Sequence, residues 1–234
     1  MIDQYKQQHP YLVALDSIIF GFDGEQLKVL LVKRGVEEQT WSLMGGWLQP
    51  DESLEQAAAR ILFELTGLTN VYLEQLNAFG DPHRDPIART ISVAYFSLVK
   101  VGDYESKISE THQARWFSIY DLPPLLFDHG DMVDLAIKRL RYIAALHPTG
   151  FELLPEKFTI PQLKKLYDAI YNTEFDKRNF SRKILSTNLL IKLDEKQKGF
   201  SKRGAFFYQV DMPKYQQLTN SFLNVIPSPD TMNW

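Results

Sequence analysis

Residues 46–68, GWLQPDESLEQAAARILFELTGL, commit this part of the chain to a loop that feeds a short, sharply bounded helix. Asp51, Glu52 and Ser53 open an apolar-periodic run, with Leu54, Ala58, Ile61, Leu62 and Leu65 along one face of a helix about four turns long. Gly67 supplies the C-terminal stop. Positions 61 and 65 are four apart and stack on the same helical face. Two carboxylates there would converge on a hard cation, and Mg²⁺ takes oxygen ligands in near-octahedral geometry. Isoleucine and leucine offer no such ligand. Glu64 lies four residues from Arg60 and is placed to form an ion pair with it.

The frame of this stretch resembles the Nudix box, a diphosphate-hydrolase motif. Gly46, Glu52, Arg60, Leu62, Glu64, Gly67 and Leu68 fall on its fixed positions, whereas Ile61 and Leu65 stand where that family places metal-holding glutamates. The resemblance implies a Nudix fold, and the two replacements imply a scaffold that binds without cleaving. The protein is therefore expected not to be an enzyme, with no catalytic residue, no metal and no cofactor assigned. The competing expectation is an active Nudix hydrolase with atypical metal ligands such as Glu52, Glu55 and Glu64.

Charge divides the chain more clearly than its net value of −3 suggests. Residues 1–150 hold 13 Lys/Arg against 20 Asp/Glu, a net of −7, and residues 151–234 hold 13 against 9, a net of +4. Within 177–203 there are 9 basic and 2 acidic residues, a net of +7. An acidic front and a basic patch near the back point to two modules with different partners. The sequence contains no cysteine, so disulfides and thiolate chemistry are ruled out. The N-terminus MIDQYKQQHP has no apolar signal region, and no run reaches the roughly 18 apolar residues of a membrane span. A cytoplasmic protein with no membrane partner is expected.

The element pattern reads as α+β: a Nudix-fold α/β/α sandwich over residues 1–148, then a winged helix-turn-helix over 149–234. Tyr11 to Phe22 and Leu27 to Lys33 are strands around the hairpin signal Phe22-Asp23-Gly24. Trp41 to Leu48 contains Gly45-Gly46. Val71 to Ala78 and Ile91 to Val99 are strands joined by the polar loop Gly80 to Pro86. Ala114 to Phe117 is a short strand, and Asp131 to Ala145 a helix with Val133, Ile137, Leu140 and Ala144 inward. His147-Pro148-Thr149-Gly150 breaks that helix and marks the boundary.

In the second module, Phe158-Thr159 leads into a helix with Pro161 in its first turn. Leu163, Leu166, Tyr167 and Ile170 recur at helical spacing, and Asn172-Thr173 breaks the run. Asp176 caps a second helix that buries Phe180, Ile184 and Leu185 and turns Lys177, Arg178, Ser181, Arg182 and Lys183 outward. Leu189 to Leu193, a basic loop, and Ala205 to Val210 form a hairpin. Helix, turn, basic helix and basic hairpin is the layout of a winged helix-turn-helix. Arg and Lys neutralise phosphates, and Arg178, Asn179, Arg182 and Lys183 near the start of the second helix can hydrogen-bond base edges. Lys196, Lys198, Lys202 and Arg203 on the wing are candidates for the backbone or minor groove. The alternative is a protein-interaction module whose basic face only keeps it soluble.

The pairing of Phe158-Thr159, Leu163, Leu166-Tyr167 with Asp176, Arg178-Asn179-Phe180 and Arg182-Lys183, behind a degenerate Nudix box, resembles the NrtR-type Nudix-related transcriptional regulators. The likeness spans about Tyr11 to Val210. It implies a homodimeric repressor of palindromic double-stranded operator DNA whose Nudix domain senses a small molecule. The branch controlling sugar catabolism, and within it arabinose-responsive repressors, is the nearest likeness. A sugar such as L-arabinose is accordingly the expected effector, with an ADP-ribose-responsive regulator of NAD metabolism as the alternative. Lys33, Arg34, Trp41, Asp81, Arg84, Asp85, Arg89 and Tyr95 are the candidate effector-binding residues: fixed polar groups beside aromatic faces suit hydroxyls, and the four basic ones suit a phosphate equally.

Overall fold

Strand β1 (Leu12–Phe22), an aliphatic run interrupted by Asp16 and Ser17, is the spine of the first of two compact units, residues 1–153 and 154–234. In this computed structural model the described residues are 6–33, 40–67, 69, 71–101, 114–146, 148–197 and 204–216. Strand β1 is paired along both edges. Its whole length runs parallel to β6 (Thr90–Lys100), from Leu12↔Thr90 to Phe22↔Lys100. On the other edge its first half pairs with β4 (Met44–Trp47) and its last three residues with β2 (Leu27–Lys33). A strand enclosed in this way reads as a near-continuous hydrophobic run. Strand β3 (Trp41–Ser42) extends the sheet beyond β2, β7 (Arg115–Ser118) also pairs with β2, and β5 (Glu74–Phe79) flanks β6.

Two helices cover the sheet. Helix α1 (Leu54–Thr66) starts at Ser53, whose hydroxyl accepts the Gln56 N–H while the Gln56 side chain accepts the Ser53 N–H, a reciprocal cap. It ends at Gly67, whose φ of 71° lies in the left-handed region that glycine enters without penalty. Its buried face packs Ala57, Ala58 and Ile61 against Leu15, Val93 and Tyr95. Successive strand residues point to opposite faces, so Asp16 points away from α1. That second face receives α2 (His129–Leu146), which buries Met132, Val133, Ala136, Ile137, Leu140 and Ala144.

The second unit begins with β8 (Phe158–Thr159) and α3 (Ile160–Tyr171), capped by Thr159 through the same reciprocal bonds with Gln162 and carrying proline in its first turn. Asn172 closes α3 in the left-handed conformation with φ 52°. Helix α4 (Lys177–Ser186) follows, its N-cap Asp176 accepting the Asn179 N–H at 2.8 Å. Strands β9 (Leu190–Gln197) and β10 (Ala205–Val210) complete a three-stranded sheet of order β8-β10-β9. Asp168 locks the turn between the helices, with one oxygen accepting from Lys164 at 2.6 Å and the other from the Phe175 N–H at 2.9 Å. Tyr167, Phe175 and Phe180 pack around that turn, Phe180 lying 5.4 Å from Tyr167 and 6.3 Å from Phe175 between ring centroids.

Candidate effector site and nucleic-acid interface

The Nudix-like frame folds into structure rather than a metal centre. Glu52 accepts two hydrogen bonds from Arg60, at 2.8 and 2.6 Å, and one from the Gln49 N–H at 2.8 Å. Arg60 also reaches the Trp47 carbonyl at 3.0 Å and Glu64 at 3.2 Å. The Arg60 bonds hold the Glu52 carboxyl below its ordinary value, and the same pair holds the guanidinium above its own. Glu55 accepts from the Ser53 hydroxyl at 2.8 Å. Ile61 is buried and Leu65 packs against the same apolar cluster. These residues do not fit magnesium. Two hydrocarbon side chains occupy the positions that would hold it, and the remaining carboxylates serve Arg60 or the helix cap.

On the opposite face of the sheet lies a buried polar cluster around Asp16. Its Oδ2 accepts from the Ser92 hydroxyl at 2.6 Å and lies 3.9 Å from Arg84 Nη2. Arg84 donates to both oxygens of Asp128, at 2.9 and 2.7 Å. His129 Nδ1 accepts the Leu43 N–H at 3.1 Å, which leaves the proton of the neutral ring on Nε2, 3.6 Å from Asp16 Oδ1. Gly45 permits this arrangement: a Cβ there would stand 2.0 Å from Asp16 Oδ1 and 2.9 Å from the Leu15 carbonyl. A charge buried in a sheet persists only when paired and hydrogen-bonded, and each partner here comes from a different element.

A cavity of about 70 Å³ opens over this cluster, lined by Asp16, Arg84, Asp85, Trp47, Phe127 and His129 among others. Trp47 and Phe127 are 48% and 39% exposed, so two aromatic faces stand over a charged, buried floor. Phe127 adopts a φ of 50°, which a residue with a Cβ rarely takes. Both of its neighbours are tied: Asp128 to Arg84, and the Leu126 N–H to the Trp41 carbonyl at 2.9 Å. The site offers fixed acceptors, one guanidinium and aromatic surface, a set suited to recognition.

Of the sequence-predicted effector residues, Arg84 and Asp85 line this cavity. Asp85 is partly engaged, accepting from the Ile87 N–H at 2.9 Å and the Thr90 hydroxyl at 3.1 Å. The others are placed elsewhere. Tyr95 is buried under α1, where desolvation raises its hydroxyl above the ordinary value and the charge of Glu55 adds to this. Asp81 caps its own loop by accepting the His83 N–H at 2.7 Å, and Arg89 donates to the Gly80 and Asp81 carbonyls at 3.0 and 3.1 Å. Trp41 packs edge-on to Phe117, 4.7 Å between centroids, and Lys33 is its partner across the β2–β3 pair. Arg34 lies outside the described residues. Sequence reading missed Asp16, Gly45, Trp47, Phe127, Asp128 and His129. The available signal was an aspartate inside the aliphatic run LVALDSIIF, because a charged residue at the centre of a buried strand needs partners.

In the second unit, Lys177, Arg178, Asn179, Arg182 and Lys183 are exposed on α4, and Ser181 is half-buried with its hydroxyl donating to the Lys177 carbonyl at 2.8 Å. Arg182 donates to Asn179 Oδ1 at 2.9 Å. Among the described residues no carboxylate pairs with the four basic side chains of this helix. Lys196 is exposed on β9, while Lys198, Lys202 and Arg203 lie outside the described residues.

The two units match two known domains in order. The NUDIX domain matches residues 10–136, and the NrtR DNA-binding winged helix domain matches residues 150–210. The ADPR responsive transcriptional repressor NtrR of Acinetobacter baylyi is 30% identical over 210 residues, 87% of this chain and 84% of its own. The chain belongs to the NrtR-type family. Among solved structures, Shewanella oneidensis NrtR complexed with a 27mer DNA superposes with a TM-score of 0.73 at 28% identity, over 85% of this chain and 93% of that one. The NUDIX domain of the same NrtR complexed with ADP ribose gives a TM-score of 0.50 at 32% identity, over 58% and 92% of the two chains. The sugar reading, and arabinose with it, gains no support from these relatives, whereas the ADP-ribose alternative does. The step from missing metal carboxylates to a neutral sugar fails physically, because a cation is needed to cleave a diphosphate while recognition needs only cationic and N–H donors.

Proposed function

We propose that this NrtR-type protein is a transcriptional repressor whose Nudix domain binds ADP-ribose without hydrolysing it and thereby controls operator binding. The observation that carries this reading is the likeness across both units to one relative named as an ADPR-responsive repressor, combined with the hydrocarbon side chains at positions 61 and 65. The cavity over Asp16 and Arg84 is the proposed effector site, with Trp47 and Phe127 as its aromatic walls. At about 70 Å³ it is smaller than a typical ligand pocket, roughly 300–1,000 Å³, so binding of ADP-ribose requires the cavity to widen.

Control works by linkage. ADP-ribose shifts the equilibrium between DNA-competent and incompetent arrangements only through its different affinity for the two. The protein acts as a homodimer on a palindromic site, and the effector releases it. Anisotropy of a labelled duplex from upstream of its own gene, with ADP-ribose or L-arabinose added, tests this. ADP-ribose is expected to raise the melting temperature, release the duplex and yield no AMP even with Mg²⁺, and L-arabinose to change neither the melting temperature nor duplex binding. At a hundred times its Kd a ligand adds about 2.7 kcal/mol of stability, so an unmoved melting temperature at saturating ADP-ribose would overturn the assignment.

A further inference from the structure

Lys192 and Lys196 are four residues apart on β9, a separation of roughly 13 Å along an extended strand. Their ammonium groups nevertheless meet over one ring: Lys192 Nζ lies 3.7 Å and Lys196 Nζ 4.3 Å from the centroid of Phe206. The two charges are therefore within about 8 Å of each other. The strand register explains the convergence. Phe206 pairs with Lys196 and Tyr208 with Lys192, so Leu193, Asp194 and Glu195 stand opposite Phe207 alone. A bulge of this kind bends the strand and re-aims its side chains. Glu195, inside the bulge, accepts from Lys157 Nζ at 2.8 Å, which engages its carboxylate outside the lysine pair.

Two ammonium groups held this close repel each other. The negative face of an aromatic ring offsets part of that repulsion, and an anion between or across them relieves the rest. Among the described residues no carboxylate forms an ion pair with either lysine. The segment around them, 177–203, has a net charge of +7. Duplex DNA presents one phosphate for every 3.4 Å of axis on each strand, a density of negative charge that a close cation pair can engage.

We propose that Lys192, Phe206 and Lys196 form a phosphate clamp on the wing, gripping the sugar-phosphate backbone of duplex DNA, with Phe206 the positioning residue that holds both lysines in place. The clamp rests on the DNA-binding reading above and adds Lys192 and Phe206 to it. It carries no base information, so it acts on every duplex alike.

Full-length protein is titrated with a labelled upstream duplex and a scrambled duplex of equal length across a range of salt. Lys192→Ala is expected to weaken binding three- to ten-fold on both and to reduce the slope of log K against log salt by about 0.9. Phe206→Leu keeps every charge and is expected to weaken binding to a similar degree, with Phe206→Trp restoring it. An unchanged slope for Lys192→Ala overturns the clamp, as does wild-type affinity for a folded Phe206→Leu. If Phe206→Leu melts early, Lys192→Ala and Phe206→Trp decide alone: failure of the first to weaken binding overturns the clamp. Loss of binding in Arg178→Ala/Arg182→Ala with the wing variants unaffected removes the clamp and leaves the DNA reading standing. A wild-type protein that binds neither duplex removes both.

Discussion

Helices α1 and α4 begin alike and end with opposite roles for their charges. Both are short, both are N-capped by a side-chain oxygen, and both carry arginine near acidic or polar neighbours. In α1 the charged groups neutralise one another: Arg60 is shared by Glu52, Glu64 and the Trp47 carbonyl. In α4 the acidic residue is spent on the N-cap, and Lys177, Arg178, Arg182 and Lys183 stay exposed. Satisfied charges fix a fold, whereas exposed, unmatched ones remain available to a partner. The same residue types thus serve structure in one unit and stand exposed in the other.

The comparison breaks most visibly if α1 tolerates damage. Ile61→Ala should lower stability by roughly 2–5 kcal/mol, the cost of emptying a buried aliphatic site, as read by chemical denaturation. A near-neutral result would mean that this face is not core. Arg178→Ala/Arg182→Ala should leave the melting temperature unchanged and weaken duplex binding on the order of a hundred-fold. A drop in stability with DNA affinity intact would instead assign α4 a structural role. Gly45→Ala forces Asp16 or the backbone beside it to shift, since its Cβ would meet Asp16 Oδ1 at 2.0 Å. A cost of about 1–3 kcal/mol and loss of the thermal response to ADP-ribose are expected. A retained response would detach the effector from this cluster.

The smallest effect concerns pH. Glu52 titrates below its ordinary value of 4.5 in the folded protein, chiefly through its hydrogen bonds to Arg60. A depressed carboxyl stabilises the fold above the unfolded value and loses that contribution as pH falls through the folded one. Glu52→Gln should therefore melt below wild type at neutral pH, and the gap should close as pH drops below 4.5. A gap independent of pH would show that the glutamate acts through packing.

The helices were legible because their signals are local. Ser53, Gly67, Pro161, Asn172 and Asp176 are start and stop signals that work within a turn of where they sit, and each appears in its expected place. The apolar period places the start of α2 at Asp131, but the helix begins two residues earlier at His129, whose ring lies in the Asp16 cluster. The candidate site around Asp16 is less legible because it is assembled across distance. Asp16 meets Ser92 across the parallel β1–β6 pair and His129 from a helix more than a hundred residues later. Nothing in local spacing announces that meeting. Polar loop residues such as Asp81 and Arg89 looked available in sequence because their partners are backbone carbonyls and N–H groups, which no side-chain pattern reveals.

Asp168, near the end of α3, accepts from Lys164 one turn earlier and from the Phe175 N–H in the turn before α4, and none of these three lies on the exposed face of α4. The bonds that hold this turn are therefore separate from the side chains that α4 exposes. Residues 178, 179, 182 and 183 can therefore be substituted without touching the bonds that hold the turn before α4.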